Sequence, residues 1–453
     1  MNSTNIKYYS TNLRAPEVSF REALMKGIAP DGGLYMPASI PILSREEMES
    51  FAAKEYFEIA FDVLHKFLKT EIEDHNLKSL CRDAYDFDIP LEPVSGRSYV
   101  MRLDQGPTAS FKDFAARMMA RLMNHFLASE NRHYTILTAT SGDTGSAVAS
   151  AFHGLSSIDV VILFPSGEVS DIQRKQMTTL KGNIRVIAID GKFDDCQRLV
   201  KKAFLDPSLS HISLTSANSI NIGRLLPQSV YYFHAWSKLG YKPIVFSVPS
   251  GNYGNLMGGV IARDMGLPVQ KLVISTNANN EVPEYLKTGI YKIISPSINC
   301  ISSAMNVGHP GNLARIIALY GGIMNESGNI IRSPDLARIR NDFFAVSISD
   351  EITRETIASS YEKHRILLEP HGAVAWKGLE IYMANELPAS EDENIYVALE
   401  TAHPAKFPDE IFRILNFIPS APSSLDRIRT LEEEYLSLRN DYSEFKNYIL
   451  KNL

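Results

Sequence analysis

From about residue 93 onward the chain repeats one unit: a short unbroken apolar run rich in β-branched residues, a Gly-rich turn, then a stretch of helical periodicity. The runs cover residues 134–137, 160–163, 184–189, 244–248, 272–275 and 395–399. Strands covered by helices on both faces read as continuous apolar runs, whereas strands with one wet face alternate. The repeated unit therefore predicts βαβ crossovers and an α/β fold built on parallel sheet. Before it, Met48, Phe51, Ala52, Phe57, Ile59, Ala60, Val63, Leu64 and Phe67 recur at helical spacing, so residues 1–95 are expected to be mostly helical. SGDTG (141–145) and SGNYG (250–254) each follow an apolar run and precede a helical stretch, an internal echo that divides the core into halves at 96–240 and 241–420. In the remainder, 421–453, Leu425, Ile428, Leu431, Tyr435, Leu438, Tyr442, Phe445 and Ile449 are spaced by three and four. They predict one C-terminal amphipathic helix packed on the chain's own body, with a contact to another subunit as the sharper alternative.

Composition narrows the partners. At 453 residues, folding buries roughly three quarters of the unfolded chain's surface, so no metal or disulfide staple is required. The 46 basic and 52 acidic residues leave a net charge of -6 with no basic block, which argues against a nucleic-acid partner. Cys81, Cys196 and Cys300 are odd in number, far apart and outside any CxxC spacing, and read as free thiols of a reducing compartment. No basic segment leads into an apolar stretch at the start, and no apolar run approaches bilayer length, so a soluble cytoplasmic protein with no membrane partner is expected. Oligomeric state is left open.

Four segments carry possible chemistry. In VPSGNYGNLMGG (248–259), Gly251 and Gly254 sit between a strand and a helix, where backbone N–H groups and the helix dipole suit a phosphate monoester. The loop has neither the Gly-Lys-Ser/Thr of a nucleotide P-loop nor the GxGxxG dinucleotide fingerprint, and an ordinary structural turn competes with the phosphate reading. TATSGDTGSA (138–147) is a second such turn, with hydroxyls on Thr140, Ser141 and Thr144, suited to a carboxylate or a second phosphate; plain helix capping is its alternative. In GPTASFKDFAARMMARLM (106–123), Lys112 falls in the first turn of an amphipathic helix with Phe111, Phe114, Ala115 and Met118 around it. The dipole and the apolar surround both disfavour its charged form, as a Schiff-base lysine requires, whereas a solvated lysine beside Asp113 is the plain alternative. In ALETAHPAKF (398–407), Thr401 emerges at the carboxyl end of a strand, the edge where open α/β sheets bind ligands. An amine for an aldehyde, a cradle for a phosphate, a second anion turn and a hydroxyl together make pyridoxal 5'-phosphate the leading cofactor. A non-catalytic binder of phosphorylated ligands, with Lys112 merely structural, is the distant alternative.

At these residues the chain resembles the threonine synthases, pyridoxal-phosphate enzymes of fold type II. The resemblance is carried by DQGPTASFKDF (104–114), SGDTGSA, SGNYGN, VGHPGNLAR (307–315), TAHPAKF and the opening STNLRAPEVSFREALMKGIAPDGGLYMP, in order from about residue 8 to about residue 410. It implies two parallel-sheet α/β halves around the cofactor. Lys112 would bind the aldehyde and later shuttle protons; Gly251, Asn252, Tyr253, Gly254 and Asn255 would hold the cofactor phosphate. Thr401 would face the pyridine nitrogen, a neutral hydroxyl that does not keep a proton there. Thr140, Ser141, Gly142, Asp143 and Thr144 would lie beside the substrate's carboxylate or phosphate. Asn218, Asn221 and Arg224, from NSINIGRLLPQ, are further substrate candidates, Arg224 for the phosphate because a guanidinium binds it bidentately. The implied reaction is that of a carbon–oxygen lyase: O-phospho-L-homoserine and water give L-threonine and phosphate by γ-elimination and β-addition, the last step of threonine biosynthesis. A phospholyase that releases phosphate and 2-oxobutanoate is the nearer alternative. The chain departs from the pattern at Gln105, where one branch has histidine, and at His309 and Gly311, where Asn and Ser are common.

Overall fold

The computed structural model describes residues 5–128, 132–386 and 393–453. Every apolar run is a strand in it. Ile244–Pro249 and Ile395–Glu400 are buried at each position, because helices cover both faces of the sheet they share. That sheet has six strands, in the order Phe343–Ser347, Val269–Thr276, Ile244–Pro249, Ile395–Glu400, Ser98–Arg102 and Leu91–Ser95, all parallel except the last hairpin. A second sheet of five parallel strands runs Leu436–Arg439, Ile184–Asp190, Ile158–Pro165, Tyr134–Ala139, Leu214–Thr215.

Two boundaries differ from the expectation. Strand Ser98–Arg102 pairs with Ile395–Glu400, so the segment leading to Lys112 is launched from the sheet of the second half, not the first. Residues 421–453 do not form one helix. They fold as helix Ser423–Ile428, strand Leu436–Arg439 and helix Tyr442–Asn452. Leu436 to Arg439 add a parallel edge strand beside Ile187 to Asp190, and Asp441 caps the last helix by accepting from Glu444 N at 2.9 Å. Leu425, Phe445 and Ile449 are buried while Leu431 and Tyr435 stay exposed, so the three-and-four spacing across the middle was fortuitous.

The N-terminal region contributes a two-stranded sheet, Tyr8–Ser10 with Tyr35–Pro37, and helices Phe20–Lys26, Arg45–Glu49, Tyr56–Leu68 and Asp74–Ala84. Ser44 starts the second of these with a reciprocal cap, its hydroxyl accepting from Glu47 N while its own N–H donates to Glu47. Ile59, Ala60, Val63, Leu64 and Phe67 pack into a core shared with the helix Lys112–Leu127 and inner faces of both sheets. The opposite face of each sheet has its own layer, around Trp376 for the six-stranded sheet and Phe445 for the five-stranded one. The carboxyl ends of Tyr134–Ala139, Ile244–Pro249 and Ile395–Glu400 lead directly into the three turns singled out in the sequence. Among the described residues no helix is long and apolar enough to cross a membrane, and no cluster of three or more His, Cys, Asp or Glu is placed to hold a metal.

Candidate active site

Lys112 is positioned by a backbone lattice between two turns. Leu103 N donates to Glu400 O, Phe111 N to Thr401 O and His403 N to Ala109 O, so the segment 103–111 runs beside the segment 400–403. Thr108 closes the turn by donating N–H and hydroxyl to the Asp113 carboxylate at 2.8 and 2.7 Å. Ala109 takes φ 53°, an unfavourable conformation for a residue with a Cβ, held by these bonds. The helix Lys112–Leu127 then begins with the lysine half-buried on a cavity wall, its Nζ 4.5 Å from the Phe111 ring centre. Burial pulls the amine down from 10.5 to about 8; Asp143 opposes that shift, and Arg224 and Lys406 reinforce it.

The loop 250–255 is braced from several sides. Tyr253 sits at φ 61° and opens the helix Gly254–Asp264, whose first N–H groups lack intrahelical partners. Gly251 packs so closely that a Cβ would lie 2.8 Å from Ala304 O and Met305 Cα. Asn252 donates to Ser219 Oγ at 2.7 Å, accepts from Gly311 N at 2.6 Å, and its carbonyl accepts from Asn312 at 2.8 Å. Asn312 in turn accepts from Arg315, a buried guanidinium that also donates to Tyr35 O and Ile220 O. The VGHPGNLAR motif is thus the loop's buttress. Asn255 accepts at Oδ1 from the hydroxyls of Tyr231 and Tyr232, which leaves its Nδ2 buried without a partner.

In the turn 140–145, Thr140 Oγ1 accepts from Gly142 N and Gly145 N at 2.9 and 2.8 Å, bracing the turn from inside. Gly142 precedes the helix Asp143–Phe152 at φ 132°, where a Cβ would also meet the Gln173 side chain at 2.5 Å. Asp143 is almost wholly buried, with Lys406 and Gln173 on its carboxylate.

These pieces line one cleft of about 1090 Å³, solvent at its mouth included. Lys112, Thr140, Ser141, Asp143, Thr144, Asn218, Arg224, Gly251, Asn252, Tyr253, Gly254, Asn255 and Thr401 are all on its wall. Two expected substrate residues are not. Asn221 is fully buried and caps the helix Ile222–Leu225, bonding Gly223 N, Leu24 O and Ser216 O, so its side chain is fully used in structure. Gly142 lies behind the wall against Gln173. Arg224 is enclosed on the wall, donates Nη1 to Ala217 O at 2.7 Å and keeps Nε unpartnered; burial pulls its guanidinium down to about 10.

Sequence reasoning gave no role to Gln228 and His371, which share the wall; His309, singled out as a departure from the family pattern, lies on it too. His371 accepts at Nε2 from Ala304 N at 3.0 Å and bonds through Nδ1 to Glu369 at 2.5 Å, fixing it as the Nδ1–H tautomer. Glu369 also accepts from Thr401 Oγ1 at 3.5 Å, and behind it burial and the neighbouring Glu369 push the Glu400 carboxyl well up against the pull of Arg102, with Oε2 unpartnered. Glu369, His371 and Glu400 lie outside the two Ser-Gly-x-x-Gly turns that drew attention in the sequence.

The donor set suits a ligand with an aldehyde, a phosphate monoester and a ring nitrogen. A low-pKa amine, a helix start behind close-packed Gly251, the orphaned Asn255 Nδ2 and the Thr401 hydroxyl converge on one cleft. Comparison with known proteins agrees. Residues 7–85 match the family model "Threonine synthase N terminus", 87–399 "Pyridoxal-phosphate dependent enzyme" and 373–449 "Threonine synthase, C-terminal". The chain is 40% identical to the threonine synthase of Haemophilus influenzae, covering 97% of this chain and 99% of that one. Its structure superposes on the pyridoxal-phosphate-bound threonine synthase of Brucella melitensis with a TM-score of 0.89 at 35% identity, covering 98% of each chain. The Escherichia coli threonine synthase gives 0.88 at 34% identity, covering 99% of this chain and all of that one.

Proposed function

Because the chain belongs to the threonine synthase family of pyridoxal-phosphate enzymes, we propose how its own residues divide that family's reaction, the conversion of O-phospho-L-homoserine and water to L-threonine and phosphate. The bound cofactor supplies an electron sink that makes protons on the substrate's α and β carbons removable. Lys112 binds its aldehyde and, once released by the incoming substrate, takes and returns those protons; an amine near pKa 8 does both at neutral pH. Gly251 to Asn255 hold the cofactor phosphate on the helix start, with Asn255 Nδ2 as a further donor. Thr401 would face the pyridine nitrogen, its hydroxyl donating to Glu369 behind it.

The substrate's anionic groups fall to the turn 140–145 and to Arg224, whose free Nε lacks a partner in the protein. Ser141 and Thr144 supply hydroxyls there, whereas the unpartnered amide oxygen of Asn218 is an acceptor, available to a donor group of the substrate. A reducing, cytoplasmic setting fits the unpaired, buried Cys81, Cys196 and Cys300.

The observation that carries this reading is Lys112, poised across one cleft from a braced, uncharged phosphate loop and a second anion turn. Proton and phosphorus NMR of the products formed by the cofactor-loaded protein from O-phospho-L-homoserine tests it. Equal amounts of threonine and phosphate are expected. Phosphate with 2-oxobutanoate would make the protein a phospholyase, and no turnover would overturn the catalytic reading.

A further inference from the structure

Lys406 lies five residues past Thr401 and is completely enclosed. Its Nζ sits 2.6 Å from Asp143 Oδ1 and donates to the Thr108 carbonyl at 2.9 Å. The same Asp143 oxygen accepts from Gln173 at 2.8 Å, and Gln176 donates to the same Thr108 carbonyl at 2.9 Å. A pair 263 positions apart in sequence thus joins the turn after one sheet to the turn after the other. Burial works against the Asp143 charge, but Lys406 and then Lys112 outweigh it and hold the carboxyl down to about 2.

Asp143 lines the cleft on the first turn of the helix Asp143–Phe152, within the turn read above as the anion site. An unopposed carboxylate there would repel an anionic substrate. Arg224, 2% exposed and with Nε unpartnered, lines the same cleft and marks it independently as a place for an anion. We propose that Lys406 is a positioning residue for substrate. By pairing with Asp143 across the junction of the two halves, it cancels the turn's negative charge and fixes the turn, so that the helix amides and the hydroxyls of Ser141 and Thr144 receive the substrate's anionic group. The inference rests on the reading of 140–145 as a substrate site.

The pair also sets the field at Lys112, whose charged neighbours are Asp143, Arg224, Lys406 and Glu369. Without Lys406, Asp143 is left to stabilise the Lys112 ammonium. Without Asp143, Lys406 and Arg224 oppose it.

The test compares wild type, Lys406→Met, Asp143→Asn and the double variant as holoenzymes, by steady-state kinetics with O-phospho-L-homoserine. Lys406→Met should raise KM by about tenfold or more while kcat falls less, since one partner of a buried pair is left unpaired. Adding Asp143→Asn should recover most of that loss. A lysine that only fills space gives no such rescue, so an unmoved KM in Lys406→Met, or a double variant as poor as the single, overturns the proposal. A second readout needs no turnover: the pH midpoint at which the cofactor-free chain captures pyridoxal phosphate, followed by absorbance. It should move up by about one pH unit in Lys406→Met and down by a similar amount in Asp143→Asn, with the double variant between them. Should Lys406→Met fail to fold, the gap between Asp143→Asn and the double variant carries the test, and equal midpoints overturn it. Wild-type holoenzyme that makes no threonine sinks the assigned reaction, whereas unmoved midpoints sink the role of Lys406.

Discussion

The two Ser-Gly-x-x-Gly turns look alike in sequence and are built on different principles. Each follows a buried parallel strand and opens a helix at the cleft. The turn at 250–254 is electrically neutral and rigid. Tyr253 is held at φ 61°, Gly251 touches the backbone of Ala304 and Met305, and Asn252 and Asn255 are locked by amide and tyrosine hydrogen bonds. The turn at 141–145 carries a buried charge, neutralised by a lysine reaching over from the other sheet. A neutral, overdetermined cradle suits a phosphate that stays bound through every cycle. A charge-balanced turn shared between two halves suits an anion that must enter and leave.

Lys112 faces both turns, so its loss should have the largest effect. Lys112→Ala is expected to lower kcat by at least about 10³-fold, within the span of a lost acid–base group, and to abolish the visible absorbance of the holoenzyme. Retention of that absorbance after dialysis would mean another amine holds the aldehyde.

The next two substitutions separate the turns. In Gly251→Ala the Cβ meets backbone atoms 2.8 Å away, which cannot swing aside, so cofactor affinity should fall about tenfold or more while KM for substrate at saturating cofactor moves less. In Gly142→Ala the strain comes from φ 132° and the Gln173 side chain at 2.5 Å, and the loss should fall on KM instead of on cofactor retention. Equilibrium dialysis of the cofactor and substrate titrations of both variants would decide. If Gly142→Ala sheds cofactor as readily as Gly251→Ala, the two turns do not have separate duties.

The same comparison explains what was legible in the sequence. Strands such as Ile158–Pro165 announce themselves, because the part of a parallel strand covered on both faces, here from Val160 on, must be apolar. The Gly-rich turns and Lys112 were readable because close backbone approach and a helix-start amine leave local marks. Glu369 and His371 leave none, and Lys406, though part of TAHPAKF, shows no role by itself: each has a partner in another segment, Thr401, Ala304 and, within 2.6 Å, Asp143. The C-terminal segment fails for the opposite reason. Leu431 and Tyr435 fit a helical repeat but face solvent, and edge pairing of Leu436–Arg439 with Ile184–Asp190 overrides the pattern; Asp441, the cap of the last helix, is the local clue to a break.

The smallest expected effect concerns stability and sets Lys112 against the pair that balances the turn. Lys112 has an amine near pKa 8 in the fold against 10.5 ordinarily, chiefly through burial, so the folded chain disfavours its charged form. Between about pH 8 and 10.5 the unfolded chain binds the extra proton, and stability therefore rises with pH across that window. Below pH 8 the full cost is present. Asp143 has the opposite sign: its carboxyl, held near 2, contributes stability at neutral pH that disappears only as pH falls through that value. Replacing Lys112 by Met should consequently raise the stability of the cofactor-free protein at pH 7, by about 1 kcal/mol once the amine's partial exposure to the cavity is discounted. The gain should shrink toward pH 10, and because other groups such as Glu281, pushed up to about 8 by burial, titrate in both proteins, the difference between the two melting curves isolates the lysine. A variant less stable than wild type at pH 7 would mean that Lys112 is bound to the fold by a partner and is not the strained, exchangeable amine that catalysis requires.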